Sequence, residues 1–289
     1  MLTNQPSHEH RLMRISRRNE GLILVLVSAL VFSTAGIFTK SIEAAAWDII
    51  FWRGVFAALF TVVYVSYKGT FAKEFIQMGK WGLIAAFAGA LGTAAFIPAF
   101  KHTDIANVAL IYSAAPLVAA FYAWVWISER PTNRVLLGAV LALIGVALIV
   151  GGSLNSINIT GDLLALWMTL AMAFMIVIYR RFPEVPAAGP AAVSCVLLLP
   201  PAMLFGSPFE NQIGEIATMA AFGLVFAVAS ITLLEGARRL PSAETALLST
   251  LEAPFAILLA WLIFAQVPVW TTVLGGLLII TAILNSQRA

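Results

Sequence analysis

A sixteen-residue block occurs twice in this chain, 137 positions apart. The first copy reads Ala123-Trp124, then Glu129-Arg130-Pro131, then Leu137-Gly138; the second reads Ala260-Trp261, then Gln266-Val267-Pro268, then Leu274-Gly275. The register extends upstream, where Ala109-Leu110 pairs with Ala246-Leu247. The displacement is close to half of the 289 residues, so the chain is written as two similar halves. An internal repeat of this size constrains the fold more than any single residue does.

Composition then fixes the solvent. Hydrophobic residues make up 61% and charged residues only 11%, against about 25% charged in a soluble domain. The mean hydropathy is +0.94. One water-soluble core cannot hide that much apolar surface, so lipid must serve as solvent. A lone cysteine, Cys195, offers no disulfide framework. His8, His10 and His102 are too scattered to hold a metal. No phosphate-binding glycine loop and no His-Glu-x-x-His pattern occurs, so neither ATP nor a metal cofactor is expected, and no nucleic acid. A small molecule and the lipid bilayer are the expected partners, and a monomer suffices.

A crossing helix needs about 20 mostly apolar residues. Ten such segments are predicted: 20–39, 47–67, 81–100, 105–126, 134–152, 160–180, 187–206, 216–236, 243–265 and 269–286. The first is too long for the h-region of a cleaved signal peptide, roughly 7–15 residues. Basic residues alternate with these segments. Fourteen of the 17 fall in the two tails and in the loops on one side, two (Lys40 and Lys101) fall on the other, and Arg53 lies inside a segment. By the positive-inside rule both termini are expected in the cytoplasm. Equivalent positions are five crossings apart, an odd number, so the halves are expected to run through the bilayer in opposite senses. The expected division is a basic tail over 1–19, a first repeat over 20–152 and a second over 153–289. Inverted repeats of this kind build secondary transporters, in which two halves exchange conformations about a midplane site.

Several residues inside the crossings carry competing readings. Pro116 and Pro254 fall at nearly matched depths and, with Pro98, are expected to kink or break their helices beside a cavity; ordinary packing kinks are the alternative. Glu252 lies near mid-bilayer, where a charge costs at least about 2.5–3.5 kcal/mol. It either faces a cavity, as a substrate or proton site, or binds backbone freed by Pro254. Arg53 either meets a substrate carboxylate or, as the favoured reading, snorkels or pairs with a carboxylate such as Asp48 to hold helices together. Glu235 stands three and four residues before Arg238 and Arg239, and an inner-side salt bridge is expected. Tyr112, Ser113, Trp167, Ser230 and Thr250 supply aromatic or hydroxyl groups at mid-depth, and together with Glu252 they are the expected substrate contacts. Trp47, Trp52, Trp81, Trp124, Trp126 and Trp270 lie near segment ends and read as interfacial anchors.

Two patterns carry a resemblance: Leu110 to Pro116, Glu129, Leu137-Gly138 and Gly145; and Leu248, Leu251-Glu252-Ala253-Pro254, Gln266 and Leu274-Gly275. With Phe51-Trp52-Arg53, they resemble the EamA-type ten-helix members of the drug/metabolite transporter superfamily. Among these the chain is most similar to the YddG-type amino-acid exporters of bacterial inner membranes. The resemblance covers about 20–286. It implies a basket-like all-α bundle in the cell inner membrane, with crossings 1, 3, 4, 6, 8 and 9 around a cavity and 5 and 10 outside. It also implies export of aromatic or other neutral amino acids. Proton-coupled efflux of drugs or cations through Glu252 is the alternative, and an enzyme acting on lipid-like substrates finds no supporting motif. Gln266 departs from the pattern, which favours a structural loop role for Glu129.

Overall fold

A computed structural model of the chain describes residues 8–103, 105–150, 158–264 and 270–287. Fourteen α-helices follow in order: α1 (His8–Phe32), α2 (Ala35–Ser41), α3 (Ala46–Tyr67), α4 (Gly79–His102), α5 (Ile105–Tyr112), α6 (Ala115–Ile127), α7 (Asn133–Val150), α8 (Ile159–Arg181), α9 (Ala188–Leu197), α10 (Leu199–Phe205), α11 (Ile213–Ala237), α12 (Ser242–Ser249), α13 (Glu252–Phe264) and α14 (Trp270–Gln287). No strand occurs among the described residues. Four pairs, α1/α2, α5/α6, α9/α10 and α12/α13, are single crossings broken once. Among the described residues, nine stretches are long and apolar enough to cross a membrane, and Asn133–Ile149 is a shorter apolar helix that brings the total to ten.

The boundaries follow from local chemistry. The Asn158 side chain accepts from Gly161 N–H at 3.1 Å and caps α8. Ser128 (φ 56°) stops α6 in the left-handed region. Pro116 stands in the first turn of α6 and Pro254 is the third residue of α13. A first-turn N–H has no intrahelical partner, so proline costs little there. These two prolines therefore begin new helices. Pro98 does not: it stands inside α4, which runs on through it to His102.

Crossings pair in a pattern that survives exchange of the halves. Crossing 3 packs on 6 as 1 packs on 8, and 3 on 7 as 2 on 8. Crossings 5 and 10, 4 and 9, and 2 and 7 each pack on their own counterpart. The 5–10 contact shows this at single residues. A methyl on Gly145 would stand 2.8 Å from the Gly275 carbonyl oxygen, and one on Gly138 would stand 3.2 Å from that of Ala282. Gly138 and Gly145 are the counterparts of Gly275 and Ala282. Small residues let these backbones touch, and close packing is what holds helices together in lipid. As the resemblance implied, crossings 5 and 10 lie mostly outside the cavity, though Val146 reaches its wall.

The end of the bundle carrying both termini is tied across the halves. The Glu129 carboxylate accepts from Arg180 Nε at 2.7 Å with one oxygen and from Ser242 N–H at 3.0 Å with the other. Arg18 donates to buried Glu244 at 2.8 Å and to Gln287 at 3.0 Å. Glu235 pairs with Arg238 at 2.7 Å and with Arg239 at 2.5 Å, and Arg238 Nε also donates to the Pro183 carbonyl. Trp81, Trp126, Phe174 and Phe182 stack beneath these ties, with Trp81 and Phe182 centroids 4.2 Å apart. Trp81 and Trp126 are thus packed partners inside the bundle, whereas Trp124 and Trp270 project outward. Gln266 and its neighbours lie outside the described residues.

Candidate functional site

Three of the broken crossings border one cavity. The breaks fall at Ser33-Thr34, Ser113-Ala114 and Thr250-Leu251. A break frees carbonyls that lipid cannot satisfy. Side-chain hydroxyls donate to carbonyls there: Ser33 Oγ to Leu30 O at 2.5 Å, Thr34 Oγ1 to Val31 O at 2.7 Å, Ser113 Oγ to Leu110 O at 2.6 Å and Thr250 Oγ1 to Leu247 O at 2.7 Å, while Val31 O and Leu247 O also accept a backbone N–H. The last two bonds are counterparts, 137 residues apart at both ends. Ser113 and Thr250 therefore serve the backbone as well as the wall.

The breaks surround a cavity of about 220 Å³. Its lining is mostly apolar. Crossing 6 supplies Met168, Met172, Met175 and Tyr179, spaced four, three and four residues apart along one helical face. Crossing 3 supplies Gly89, Thr93, Phe96 and Phe100 on the same period. Phe222, Phe226 and Ser230 come from crossing 8. Tyr179 and Leu234, both buried, close the cavity toward the terminus-bearing end.

Of the expected contacts, Tyr112, Ser113, Ser230, Thr250 and Glu252 all lie on this wall. Trp167 does not: it is 51% exposed on the outer face of α8, while its neighbour Met168 is 1% exposed and faces in. One residue is a 100° turn of a helix, enough to take a side chain off the cavity stripe. The sequence reading missed Phe222, Phe226, Met175 and Tyr179. The crossing-6 members could have been found from the Met168-to-Tyr179 spacing; the phenylalanines carry no separate signal.

The two charges inside the crossings are both on the wall. Glu252 begins α13, and among the described residues its carboxylate takes no hydrogen bond or ion pair; Tyr112 lies within its electrostatic reach. Arg53 is 1% exposed. The expected ion pair is absent, since no carboxylate lies within 4 Å of it among the described residues. Asp48 is committed elsewhere, accepting from Ser207 N–H at 2.7 Å. Nor does Arg53 snorkel. Its guanidinium carbon sits 4.0 Å from the Phe226 centroid and 5.4 Å from that of Phe222, and its Nε is buried without a partner among the described residues.

Ten apolar crossings around an amphiphilic, small-molecule-sized cavity define a multi-pass membrane protein of the transporter class. The EamA-like transporter family matches the chain twice, over residues 19–151 and 159–286, and the chain belongs to that family. It is 24% identical to the uncharacterized transporter YyaM of Bacillus subtilis, over 88% of this chain and 86% of that protein. It is also 24% identical to mouse solute carrier family 35 member G1, over 91% and 76%. A solved crystal structure superposes with a TM-score of 0.81 at 18% identity, covering 93% of this chain and 96% of that one, and shows the shared fold.

Proposed function

We propose that this protein is a secondary transporter that exports neutral amino acids, aromatic ones above all, by alternating access about the central cavity. The halves are read as inverted repeats with both termini in the cytoplasm. The exchange-symmetric packing supports this, because matched halves give inward- and outward-open states of similar energy. The observation that carries the substrate reading is the cavity itself. Its volume of about 220 Å³ is below the roughly 300–1,000 Å³ of drug-sized sites. Methionine and phenylalanine walls suit an apolar side chain, with Tyr112 and Met172 packing on it. The hydroxyl groups and Glu252 suit the ammonium end. Export as the direction rests on the resemblance to YddG-type carriers.

Proton-coupled cation efflux has one observation in its favour, the unpartnered Glu252 carboxylate. Counterflow into proteoliposomes separates the two. Radiolabelled phenylalanine, tryptophan, methionine and threonine are compared with a lipophilic quaternary ammonium cation, with and without a pH gradient. Saturable, mutually competing amino-acid flux is expected, retained in Glu252→Gln within about fivefold. Cation flux that requires the gradient and vanishes in Glu252→Gln overturns the amino-acid reading.

A further inference from the structure

We infer that Arg53 is an anion subsite in the cavity wall, built to grip the carboxylate of a monocarboxylic substrate. The inference rests on the reading that this cavity is the transport site.

Arg53 lies eight residues into α3, inside the bilayer, and is 1% exposed. A cation so placed is normally paired, because an uncompensated buried charge is expensive. This one has no carboxylate partner among the described residues, and its Nε is buried without a hydrogen bond. The protein has instead placed aromatic rings over it. Phe226 and Phe222 lie 4.0 and 5.4 Å from the guanidinium carbon. Phe38 stacks on Phe222 at 5.2 Å, and Phe32 meets Phe226 edge-on at 6.0 Å, which fixes both rings.

Ring quadrupoles stabilise a cation partly, through its planar face. They accept nothing from the N–H donors, which radiate in the plane. The rings lie over the guanidinium carbon and accept no hydrogen bond in its plane, and among the described residues nothing pairs with the fork. A fork of in-plane donors on a cavity wall matches one group best, a planar carboxylate held by two parallel N–H···O bonds. A phosphate dianion fits worse, since no second cation lines the cavity among the described residues and half its charge would stay uncompensated. With Glu252 on the same wall, the cavity presents opposite charges to a zwitterion, and Arg53 reads the anionic end.

The test uses the full-length protein in nanodiscs and three ligands of one shape: phenylalanine, phenylalaninamide and 3-phenylpropionate. Binding is read by titration calorimetry and by ligand-induced shifts of thermal unfolding. The expected result is that both carboxylates bind and the amide binds at least tenfold more weakly. Arg53→Met, close in volume and free of charge, is expected to fold and to unfold at an equal or higher temperature while losing at least tenfold affinity for both acids. A purely structural arginine would instead lose thermal stability and leave the acid-over-amide preference unchanged. Arg53→Lys keeps the charge without the fork and is expected to fall between; with the wild-type series it decides the matter should Arg53→Met not fold.

Equal binding of amide and acid, or undiminished acid binding in a folded Arg53 variant, overturns the subsite while leaving amino-acid transport standing. Binding of 3-phenylpropionate without phenylalanine overturns the amino-acid reading and keeps the subsite. Binding of none of the three to folded protein overturns both.

Discussion

Glu129 shows how much one side chain can organise. Its two oxygens join the loop after crossing 4 to the end of crossing 6 and to the first backbone N–H of α12. Arg180 is about one-third exposed, so solvent screens the pair and its electrostatic share is small. The Ser242 N–H is the costlier loss. It starts a helix, where first-turn donors lack intrahelical partners. Glu129→Ala is expected to lower stability by about 1–2 kcal/mol, and Glu129→Gln by less, because an amide oxygen still accepts. Thermal unfolding in detergent checks both. Arg53 stands at the other extreme. Its identity was plain in the sequence, but whether a carboxylate faced it depended on three other helices, and spacing within one helix carries no such information. The likeness of Asp48, five residues upstream, was misleading, because the Ser207 backbone amide in the loop after α10 claims that carboxylate.

At the scale of elements, helix breaks decide where the cavity sits. Pro116 and Pro254 open helices at matched positions, and a hydroxyl beside each donates to a carbonyl of the preceding turn. Restoring the N–H with Pro116→Ala or Pro254→Ala lets α5 run into α6, or α12 into α13. Transport is expected to slow about tenfold with the fold retained, since a continuous helix resists bending there. Pro98→Ala, in an already continuous helix, is expected to change rate less than twofold. Initial rates of counterflow distinguish them. The sealed 5–10 contact has the opposite character. A side chain on Gly275 would run into the Gly145 carbonyl oxygen, so Gly275→Val is expected to cost more than about 2 kcal/mol by overpacking, read as loss of folded protein on size exclusion.

Ten crossings were legible because length and hydropathy are local properties, and the observed ends fall within a few residues of those expected. The break at Ser33-Thr34 was not legible, because no proline marks it and serine and threonine are common in unbroken helices. The break before Pro200-Pro201 was written in the sequence but masked by the apolar run around it. Trp167 was chosen for its chemistry rather than its face. The Met168-to-Tyr179 spacing, read as a stripe, points one residue away to the wall that is observed.

At the scale of the whole molecule, the proposed alternating access draws on the duplication, which would let two states of one structure lie close in energy. Several helix pairings of one half have a counterpart in the other, so on the proposed inverted-repeat reading an arrangement closed at one end would be matched by one closed at the other. The described structure is sealed at the terminus-bearing end by Tyr179, Leu234 and the stacked aromatics. Exchange of roles between the halves would open that end and close the opposite one. The ties through Glu129 and Arg18 would break in one state and form in the other, and their modest strength suits reversible opening.

The most direct test is a pair of distance measurements by electron paramagnetic resonance in a Cys195→Ala background. One label pair spans the terminus-bearing end, at Thr132 and Glu184; the other spans the opposite end, at Lys101 and Gln212. Distributions are recorded without and with saturating phenylalanine. Alternating access requires that the populations change in opposite senses, one pair lengthening as the other shortens. Two pairs that keep fixed distances while the same preparation transports, or that lengthen together, would contradict it.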